Sequence, residues 1–468
     1  MPLPYRRLLA CLALLSLLGQ GCTKAPSADV VAASKRTEIV IWAVIDDQDA
    51  YAAVLQAYQK LHPNVTFTYR RLRLEEYESD LLNALAEDRG PDIFMIHNDQ
   101  VGKYLSKIMP MPPTTHVAYS LVTGTVSKSQ TWEVRDDPAI SLRQFKDQYA
   151  DVVTRDLLRT VNVSKTDTAS YQERAMAVPV GVDTLALYYN KDLLNAAGIP
   201  NPPETWDEFQ TQVKKLTKID PSGNLQQAGA AIGTSANVER SSDILSVLMM
   251  QNGAQMQAED GSVTFQLIPT ELQGIRDTPP AYQALQFYTD FANPSKDVYT
   301  WNAAMPNSLD AFITGQAAYF LGYSYHLPQI RARAPKLNFG ISALPQIAGN
   351  PVRNFANYWV WSVSKKSKNQ EYAWSFLNYL TDPAQVTTII NAGKRPAAVK
   401  SLLTGQLNDE DVGVFASQVL TASSWYRGND PQAVETAFAE MVDNVVAGRA
   451  PIKDAVNFAS DRVSQTVF

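Results

Sequence analysis

The chain has 468 residues, of which 45% are hydrophobic and 19% charged, and its formal net charge is −6. A chain of this length exceeds the size at which one hydrophobic core stops growing, so we expect two domains. The composition is that of a folded soluble protein, and the acidic balance argues against nucleic acid as a partner. These values do not distinguish an enzyme from a binding protein.

The first residues have the layout of a secretory signal. Two arginines precede an apolar run from Leu8 to Leu18, which is too short to span a bilayer. We therefore expect residues 1–21 to be a signal peptide that is absent from the mature, exported protein. Its removal changes the formal net charge from −6 to −8.

The residue after this segment is a cysteine. The stretch from Leu17 to Cys22 resembles a bacterial lipobox, in which the cysteine is acylated. Gly19 stands where that pattern usually has leucine, so ordinary cleavage nearby is the alternative. Because Cys11 leaves with the signal, Cys22 has no partner for a disulfide, which favours a lipid anchor. We expect lipidation at Cys22 and a flexible tether over 22–37, where large apolar residues are scarce.

Short apolar strands alternate with amphipathic helices from residue 38 onward. Residues 38–45 and 93–96 are short enough to be buried strands, and residues 65–69 alternate as a third. Helical stripes separate the three segments, and this alternation predicts a parallel sheet. Ligands of such sheets lie beyond the carboxyl ends of the strands, where the loops converge.

Two polar loops follow strands at that edge. Asp46 and Asp47 follow the first strand, and Asn98 and Asp99 follow the third. We expect both loops to contact a ligand, and the sequence leaves the choice between Asn98 and Asp99 open. Capping of the next helix is the alternative role for Asp46.

The stretch 177–209 combines a strand, a break and the start of a helix. Residues 185–189 alternate as a strand, prolines after Gly198 break the chain, and Thr205 and Glu208 form a capping box. This order, with Asn-Lys-Asp after the strand and Thr-Trp-x-Glu-Phe at the helix start, resembles the extracellular solute-binding proteins of bacterial ABC importers. The resemblance is to the sugar-binding class that includes maltose-binding protein.

This resemblance covers nearly all of the chain after the signal and implies an α/β, two-lobed fold of the periplasmic-binding-protein type. Each lobe would be a mostly parallel sheet flanked by helices, and crossover strands would join the lobes. The first lobe would take residues 38–183 and 346–394, and the second lobe 184–345 and 395–468.

The resemblance also implies a ligand cleft between the lobes. Asp183 stands where the family has a ligand-facing acid, although it could instead cap backbone N–H groups at the crossover. The polar loop 233–243 faces the ligand in the family, which indicates Asn237 and Arg240, with helix capping as the alternative.

Aromatic side chains complete the predicted site, because one face of a pyranose ring packs on a flat ring. Tyr323 and Tyr325 occupy the tip of a strand that the resemblance places in the cleft. Trp301, Trp359 and Trp425 lie next to polar loop residues, and core packing is the alternative for each of them.

Sequence signatures of catalysis are absent. The chain has no G-x-S-x-G elbow, P-loop, H-E-x-x-H motif or dinucleotide fingerprint, and its four histidines are well separated. We therefore expect no enzymatic activity, no cofactor and no metal.

Our interpretation is a monomeric binding protein anchored by lipid at the outer face of the cytoplasmic membrane. It would capture a carbohydrate and deliver it to the permease subunits of an ABC transporter. The alternatives are a non-sugar solute, such as a polyamine or an oligopeptide, and an exported enzyme on the same fold.

Overall fold

The computed structural model describes residues 27–123, 129–164 and 168–467. The predicted signal peptide and the predicted lipidation site at Cys22 lie outside these residues. Among the described residues, no helix combines the length and the apolarity needed to cross a membrane.

Two sets of elements make up the described chain. The strands are β1 Thr37–Ala43, β2 Val65–Arg71, β3 Ile93–His97, β4 Ile108–Met109, β5 Thr114–Thr123, β6 Ser129–Pro138, β7 Leu158–Asn162, β8 Tyr171–Ala175, β9 Val178–Pro179, β10 Asp183–Thr184, β11 Ala186–Asn190, β12 Lys218–Ile219, β13 Leu225–Ala230, β14 Ala317–Gly322, β15 Phe339–Ser342, β16 Asn354–Asn357, β17 Trp359–Ser364 and β18 Ala422–Ser423. The α-helices are Ala28–Ala33, Ala52–Leu61, Leu74–Ala86, Val101–Tyr104, Leu142–Gln148, Asp151–Leu157, Lys191–Ala196, Trp206–Leu216, Ser241–Gln251, Pro280–Asp290, Ser308–Ile313, His326–Arg333, Gln370–Leu380, Pro383–Gly393, Lys400–Gln406, Gly413–Gln418, Pro431–Val446 and Ile452–Ser464.

The first sheet has the strand order β2-β1-β3-β17-β4, with β9 beside β17. Strands β1, β2 and β3 are parallel, as the alternation of strands and helices predicts, because helices Ala52–Leu61 and Leu74–Ala86 carry the chain back between them. Strand β17 is antiparallel to β3 and to β9. It arrives from the other half of the molecule, so it starts at the edge where β1 and β3 end.

The second sheet has the strand order β12-β13-β14-β11-β15. Strands β13 and β14 are parallel, whereas β11 is antiparallel to both of its neighbours, β14 and β15. Both large sheets are therefore mixed, with a parallel part in each. Two separate hairpins, β5–β6 and β7–β8, extend from the first half of the chain.

In the described part of the chain, the buried hydrophobic side chains form two large cores and a smaller third cluster around Tyr188 and Phe320, and the chain crosses three times between the two large cores. These crossings divide the molecule into two lobes. Buried residues on either side of positions 182–185, 355–356 and 422–425 belong to different cores. The short strands at these crossings, β10, β16 and β18, pair with one another as a separate three-stranded sheet. A small sheet of crossover strands thus lies between the lobes.

The packing corrects two of the predicted lobe boundaries. The returning part of the first lobe was expected over 346–394, but most buried apolar residues from 356 to 422 belong to the first core, whereas Phe415 packs in the smaller third cluster. Arg395 and Pro396 do not lead the chain away, because Ala397 forms a bridge with Gly181 and stays in the first core.

The predicted tether over 22–37 is helical near its end. Helix Ala28–Ala33 is capped by Ser27, whose hydroxyl accepts a hydrogen bond from the backbone N–H of Val30 at 3.3 Å. The carbonyl of Ala33 accepts hydrogen bonds from Asn64 Nδ2 at 3.3 Å and from the Tyr372 hydroxyl at 2.7 Å. These contacts dock the helix on the first lobe, so the described part of the tether is ordered.

Candidate functional site

A cleft of about 1340 Å³ lies between the lobes. Its first wall comes from the loops after β1 and β3 and from the start of β17, and its second wall comes from the loops after β13 and β14 and from helix Pro431–Val446. The crossover strands β10 and β16 contribute its floor. The parallel strands of the first sheet thus end at the cleft, which is where such sheets hold ligands.

Six of the twelve residues predicted to contact a ligand line this cleft. They are Asp46, Asp99, Asp183, Arg240, Tyr325 and Trp359. They come from both lobes and from the crossover sheet, so the fold brings together side chains that are up to 313 positions apart in sequence. Their contact with a ligand stays a prediction.

Asp46 is a buried acid at the end of the cleft that belongs to the first lobe. It accepts a hydrogen bond from the Tyr51 hydroxyl at 3.0 Å and forms an ion pair with Arg395. It does not cap the following short 3₁₀-helix, Gln48–Ala50, where Asp47 stands at the N-cap position. The capping alternative for Asp46 is therefore not what the structure shows.

Asp99 is held by a neighbouring histidine. His97 Nδ1 lies 2.7 Å from Asp99 Oδ1, and His97 Nε2 lies 3.0 Å from Asn357 Oδ1. Burial alone raises the pKa of Asp99, but the charge and the hydrogen bond of His97 and the charge of Arg240 outweigh it and lower the pKa. Asp99 is therefore an ionised acceptor at the edge of the first lobe.

Arg240 is clamped by two carboxylates on the second lobe. Its Nε and Nη2 donate to Asp243 at 2.8 Å each, and its Nη1 donates to Glu435 at 2.8 Å. Its backbone has a φ of 55°, a left-handed conformation that is rare for a residue other than glycine. A guanidinium carries five N–H groups, so this clamp leaves two of them for a ligand in the cleft.

Asp183 lies on crossover strand β10 among neutral donors. It accepts hydrogen bonds from the Ser324 backbone N–H at 2.9 Å, from the Ser324 hydroxyl at 2.7 Å and from the Thr184 backbone N–H at 2.9 Å. Burial raises the pKa of Asp183 to about 7, although these hydrogen bonds act in the opposite direction. Asp183 therefore fills the capping role and lines the cleft at the same time.

Five aromatic residues of the described chain line the cleft, and the two that the sequence predicted, Tyr325 and Trp359, come from opposite lobes. Tyr325 is 43% exposed, and its ring stacks on Tyr323 with centroids 5.6 Å apart and planes 16° apart. Trp359, at the start of β17, is partly exposed and lies edge-on to His97. Both side chains line the cleft and keep some exposed surface, which suits stacking against a ligand.

Tyr323, which was also predicted to contact a ligand, is not among the residues that line the cleft. Tyr323 is fully buried, and its hydroxyl donates to Asp243 at 2.7 Å. Its role in the structure is to support Tyr325 from below.

The first-lobe loops contain two further residues that do not line the cleft. Asp47 is exposed and pairs with Arg71 Nη1 at 2.7 Å. Asn98 is buried, where its Nδ2 donates to Asp156 at 3.0 Å and its Oδ1 accepts from the Tyr358 backbone N–H at 3.3 Å. Asp99 lines the cleft, and Asn98 and Asp99 together line a smaller pocket that shares Arg240 with it, so which of the two contacts a ligand stays a prediction.

Three predicted residues of the second lobe are held inside it. Trp301 is 0% exposed, and its indole N–H donates to Asn237 Oδ1 at 3.2 Å. The Nδ2 of Asn237 in turn donates to two backbone carbonyls of the loop after Trp301, which fixes that loop. Trp425 packs against Phe438 and donates to Ser246 at 3.0 Å. The core alternative therefore describes Trp301. Trp425 is buried too, but it lines a small pocket with His97, Asp99 and Arg240, so its contact with a ligand stays a prediction.

Sequence reasoning missed several groups that hold the cleft together. They are His97, Asp243, Ser324, Asn357, Arg395 and Glu435. The spacing of Arg240 and Asp243, three residues apart at a helix start, could have indicated their pairing. The other contacts join distant segments, which a single sequence does not reveal.

The described residues contain no group of three or more His, Cys, Asp or Glu side chains arranged to hold a metal ion. What the cleft offers is instead a set of ionised acceptors, guanidinium donors and aromatic faces. This chemistry suits reversible binding of a polar solute.

Comparison with known proteins supports this assignment. A sequence profile of the bacterial extracellular solute-binding protein family matches residues 42–387. A binding protein of Brucella abortus is 25% identical over 215 residues, or 44% of this chain, and the chain spans about half the length of that relative (46%). The galactooligosaccharide-binding protein of Bacillus subtilis is 22% identical over 457 residues, which cover 96% of this chain and 94% of that protein.

A solved structure has the same architecture. The cyclic alpha-maltosyl-1,6-maltose binding protein of Arthrobacter globiformis matches with a TM-score of 0.68 and 19% identity, over 92% of this chain and 98% of that chain. This likeness confirms the predicted two-lobed α/β fold. Because the family profile matches most of the chain, the protein belongs to the bacterial extracellular solute-binding proteins.

Proposed function

We propose that the chain binds an oligosaccharide in the cleft between its lobes and delivers it to the permease of an ABC transporter. The observation that carries the proposal is the pair of aromatic faces, Tyr325 from the second lobe and Trp359 from the first, with Asp99 and Arg240 also lining the cleft. Rings of this kind cover the C–H face of a sugar, while ionised acceptors and donors bind its hydroxyls.

The size of the cleft supports an oligosaccharide over a single sugar. Its volume of about 1340 Å³ exceeds the roughly 300–1,000 Å³ of pockets that hold drug-sized ligands. The similar proteins of Bacillus subtilis and Arthrobacter globiformis are named for the oligosaccharides they bind. We propose binding without chemical turnover, with ligand closing the lobes about the crossover strands.

A thermal-shift panel tests this function. The mature chain is heated with galactooligosaccharides, maltotetraose, glucose, spermidine and a tripeptide, each over a range of concentrations. An oligosaccharide at a hundredfold excess over its Kd should stabilise the protein by about 2.7 kcal/mol. Chromatography of the same samples should show the sugar unchanged. Stabilisation by spermidine or the peptide alone, or the appearance of sugar products, would refute the proposal.

We further propose that the mature protein is a monomer anchored by acylation of Cys22 at the outer face of the cytoplasmic membrane. The support is the lipobox-like stretch that ends at Cys22. Labelled palmitate should enter the wild-type chain and not the Cys22→Ala variant, while both chains keep the same melting temperature. Equal labelling of the two chains would exclude the anchor.

A further inference from the structure

Asp243 is a buried carboxylate that contacts groups of the cleft wall and of the crossover sheet. It is 4% exposed and does not itself line the cleft. Arg240 donates to both of its oxygens at 2.8 Å, and the Tyr323 hydroxyl donates at 2.7 Å. Asn357 Nδ2, on β16, lies 3.5 Å from its Oδ2. The Asp243 carboxylate therefore holds three side chains, those of Arg240, Tyr323 and Asn357, in one orientation.

The contact with Asn357 fixes which end of that amide faces His97. Asn357 Oδ1 lies 3.0 Å from His97 Nε2, while its Nδ2 faces Asp243. Turning the amide over would place its oxygen against the carboxylate, which is electrostatically unfavourable. His97 Nε2 therefore meets an oxygen and must donate. Nδ1 also faces an oxygen, that of Asp99 at 2.7 Å, so this arrangement favours an imidazole that donates on both sides, which is the charged form.

The charged groups around His97 come from three elements. They are Asp99 on the loop after β3, Arg240 and Asp243 at the start of helix Ser241–Gln251, and Glu435 on helix Pro431–Val446. Burial alone lowers the pKa of His97, and Arg240 acts in the same direction. The charge of Asp99 and the hydrogen bonds to Asp99 and Asn357 outweigh both, so the pKa lies above its ordinary value.

We propose that Asp243 is a positioning residue that fixes the donors on both walls of the cleft and sets the charge of His97 through Asn357. The proposal rests on the ligand-binding role proposed above, since His97 and Arg240 would meet the ligand and Asp243 would act only through them. Without the carboxylate, Asn357 can turn its N–H toward His97 Nε2. That orientation stabilises the neutral imidazole, so His97 would lose its proton at a lower pH.

Nuclear magnetic resonance of the unliganded protein tests whether Asp243 sets the charge of His97. The chain has four histidines, so selective ¹⁵N labelling gives few imidazole signals, and His97→Gln assigns the one from His97. In Asp243→Asn, the titration midpoint of His97 should fall by about 0.5 to 1 pH unit. Glu435→Gln is the matched control, because it removes the same charge from the other side of Arg240 without touching Asn357. It should lower the midpoint less than Asp243→Asn does, because it leaves the contact between Asp243 and the Asn357 amide in place.

A second variant keeps the test decisive if Asp243→Asn does not fold. Asn357→Ser removes the relaying amide and should lower the His97 midpoint as well. An unchanged midpoint in the folded variants, or an equal fall in Glu435→Gln, would overturn the proposal. These spectra need no ligand, so they decide the positioning role even if no oligosaccharide binds.

With galactooligosaccharides as the probe, calorimetry at several pH values tests the consequence for binding. Affinity of the wild type should fall as the pH rises through the His97 midpoint, and in Asp243→Asn this fall should begin at a lower pH. A pH profile that coincides in the two proteins would contradict the positioning role. Absence of any binding to the wild type would instead count against the proposed function alone.

Discussion

Two of the carboxylates that line the cleft, Asp99 and Asp183, differ in the groups that surround them. Asp99, on the first lobe, has His97 beside it and Arg240 nearby, and its pKa lies below the ordinary value. Asp183, on the crossover strand, accepts several hydrogen bonds but only from neutral groups, and burial raises its pKa to about 7. Neutral donors therefore do not keep a buried acid ionised here, whereas a neighbouring cation does.

This difference divides the cleft into two regions. Beside Asp99, His97 and Arg240 hold the acid ionised, and Arg240 pairs with Asp243, so the region should bind ligand as a fixed set of charges. Around Asp183, the charge changes close to neutral pH. Substitutions that remove a cation from the first region, or the acid from the second, should therefore have opposite effects on stability.

The largest effect is expected when Arg240 is replaced by Gln. The variant leaves Asp243 buried without its cation, which should reduce the free energy of unfolding by about 3–5 kcal/mol. The region would then resemble that of Asp183, and its stability should fall further as the pH rises. Urea unfolding at pH 5 and pH 8 measures both effects. A reduction of the free energy of unfolding by less than about 1 kcal/mol, equal at the two pH values, would show that the two regions do not differ in this way.

Replacing Asp183 by Asn should increase the free energy of unfolding instead of reducing it. Because the folded pKa of about 7 lies above the ordinary 3.8, the folded chain keeps a proton that the unfolded chain has lost. Stability from this proton is fully present below about pH 4 and declines as the pH rises to about 7. The asparagine side chain would mimic the protonated acid, with its amide group facing Ser324.

The Asp183→Asn variant should therefore gain roughly 1 to 3 kcal/mol relative to the wild type at pH 8. At pH 4.5 most of this gain should be absent. Urea unfolding of the two proteins at both pH values is the measurement. An equal difference at the two pH values would show that Asp183 is ionised throughout and that the comparison with Asp99 is wrong.

The smallest effect is expected at Asp47, an acid that is exposed to solvent and so serves as a reference for the two acids in the cleft. Its ion pair with Arg71 lies at the surface, with 69% of the Asp47 side chain and 48% of the Arg71 side chain exposed. Asp47→Asn should change the free energy of unfolding by less than about 0.5 kcal/mol and leave ligand affinity intact. A loss of affinity would place Asp47 in the binding site after all.

The sequence predicted the architecture better than the orientation of individual side chains. Strand and helix periodicities identified β1, β2 and β3, and the lobe boundary expected between residues 183 and 184 lies at the first crossing between the cores. The later crossings were misplaced because the loop at Arg395 looks like a break, although Ala397 pairs back onto the first lobe. Local sequence patterns identify a helix or a strand, whereas the segment that a loop packs against depends on residues far away in the sequence.

The same limit explains which site residues were predicted. Asn98 and Asp99 are adjacent and both polar, and only the distant partner Asp156 determines that Asn98 points inward. Tyr323 and Tyr325 share a strand tip, but the buried Asp243 draws the hydroxyl of Tyr323 into the core. Sequence alone located the loops that line the cleft and left the direction of each side chain undetermined.

Calorimetry on two tyrosine variants tests whether the cleft binds an oligosaccharide against its aromatic faces. Tyr325 lines the cleft, whereas Tyr171 is a 68% exposed tyrosine on strand β8, outside the cleft. With galactooligosaccharides as the titrant, Tyr325→Ala should raise the Kd by about tenfold or more, equivalent to about 1.4 kcal/mol. Tyr171→Ala should leave the Kd unchanged. If Tyr325→Ala binds the oligosaccharide as tightly as Tyr171→Ala does, the aromatic face of Tyr325 does not contribute to binding and the proposed site is wrong.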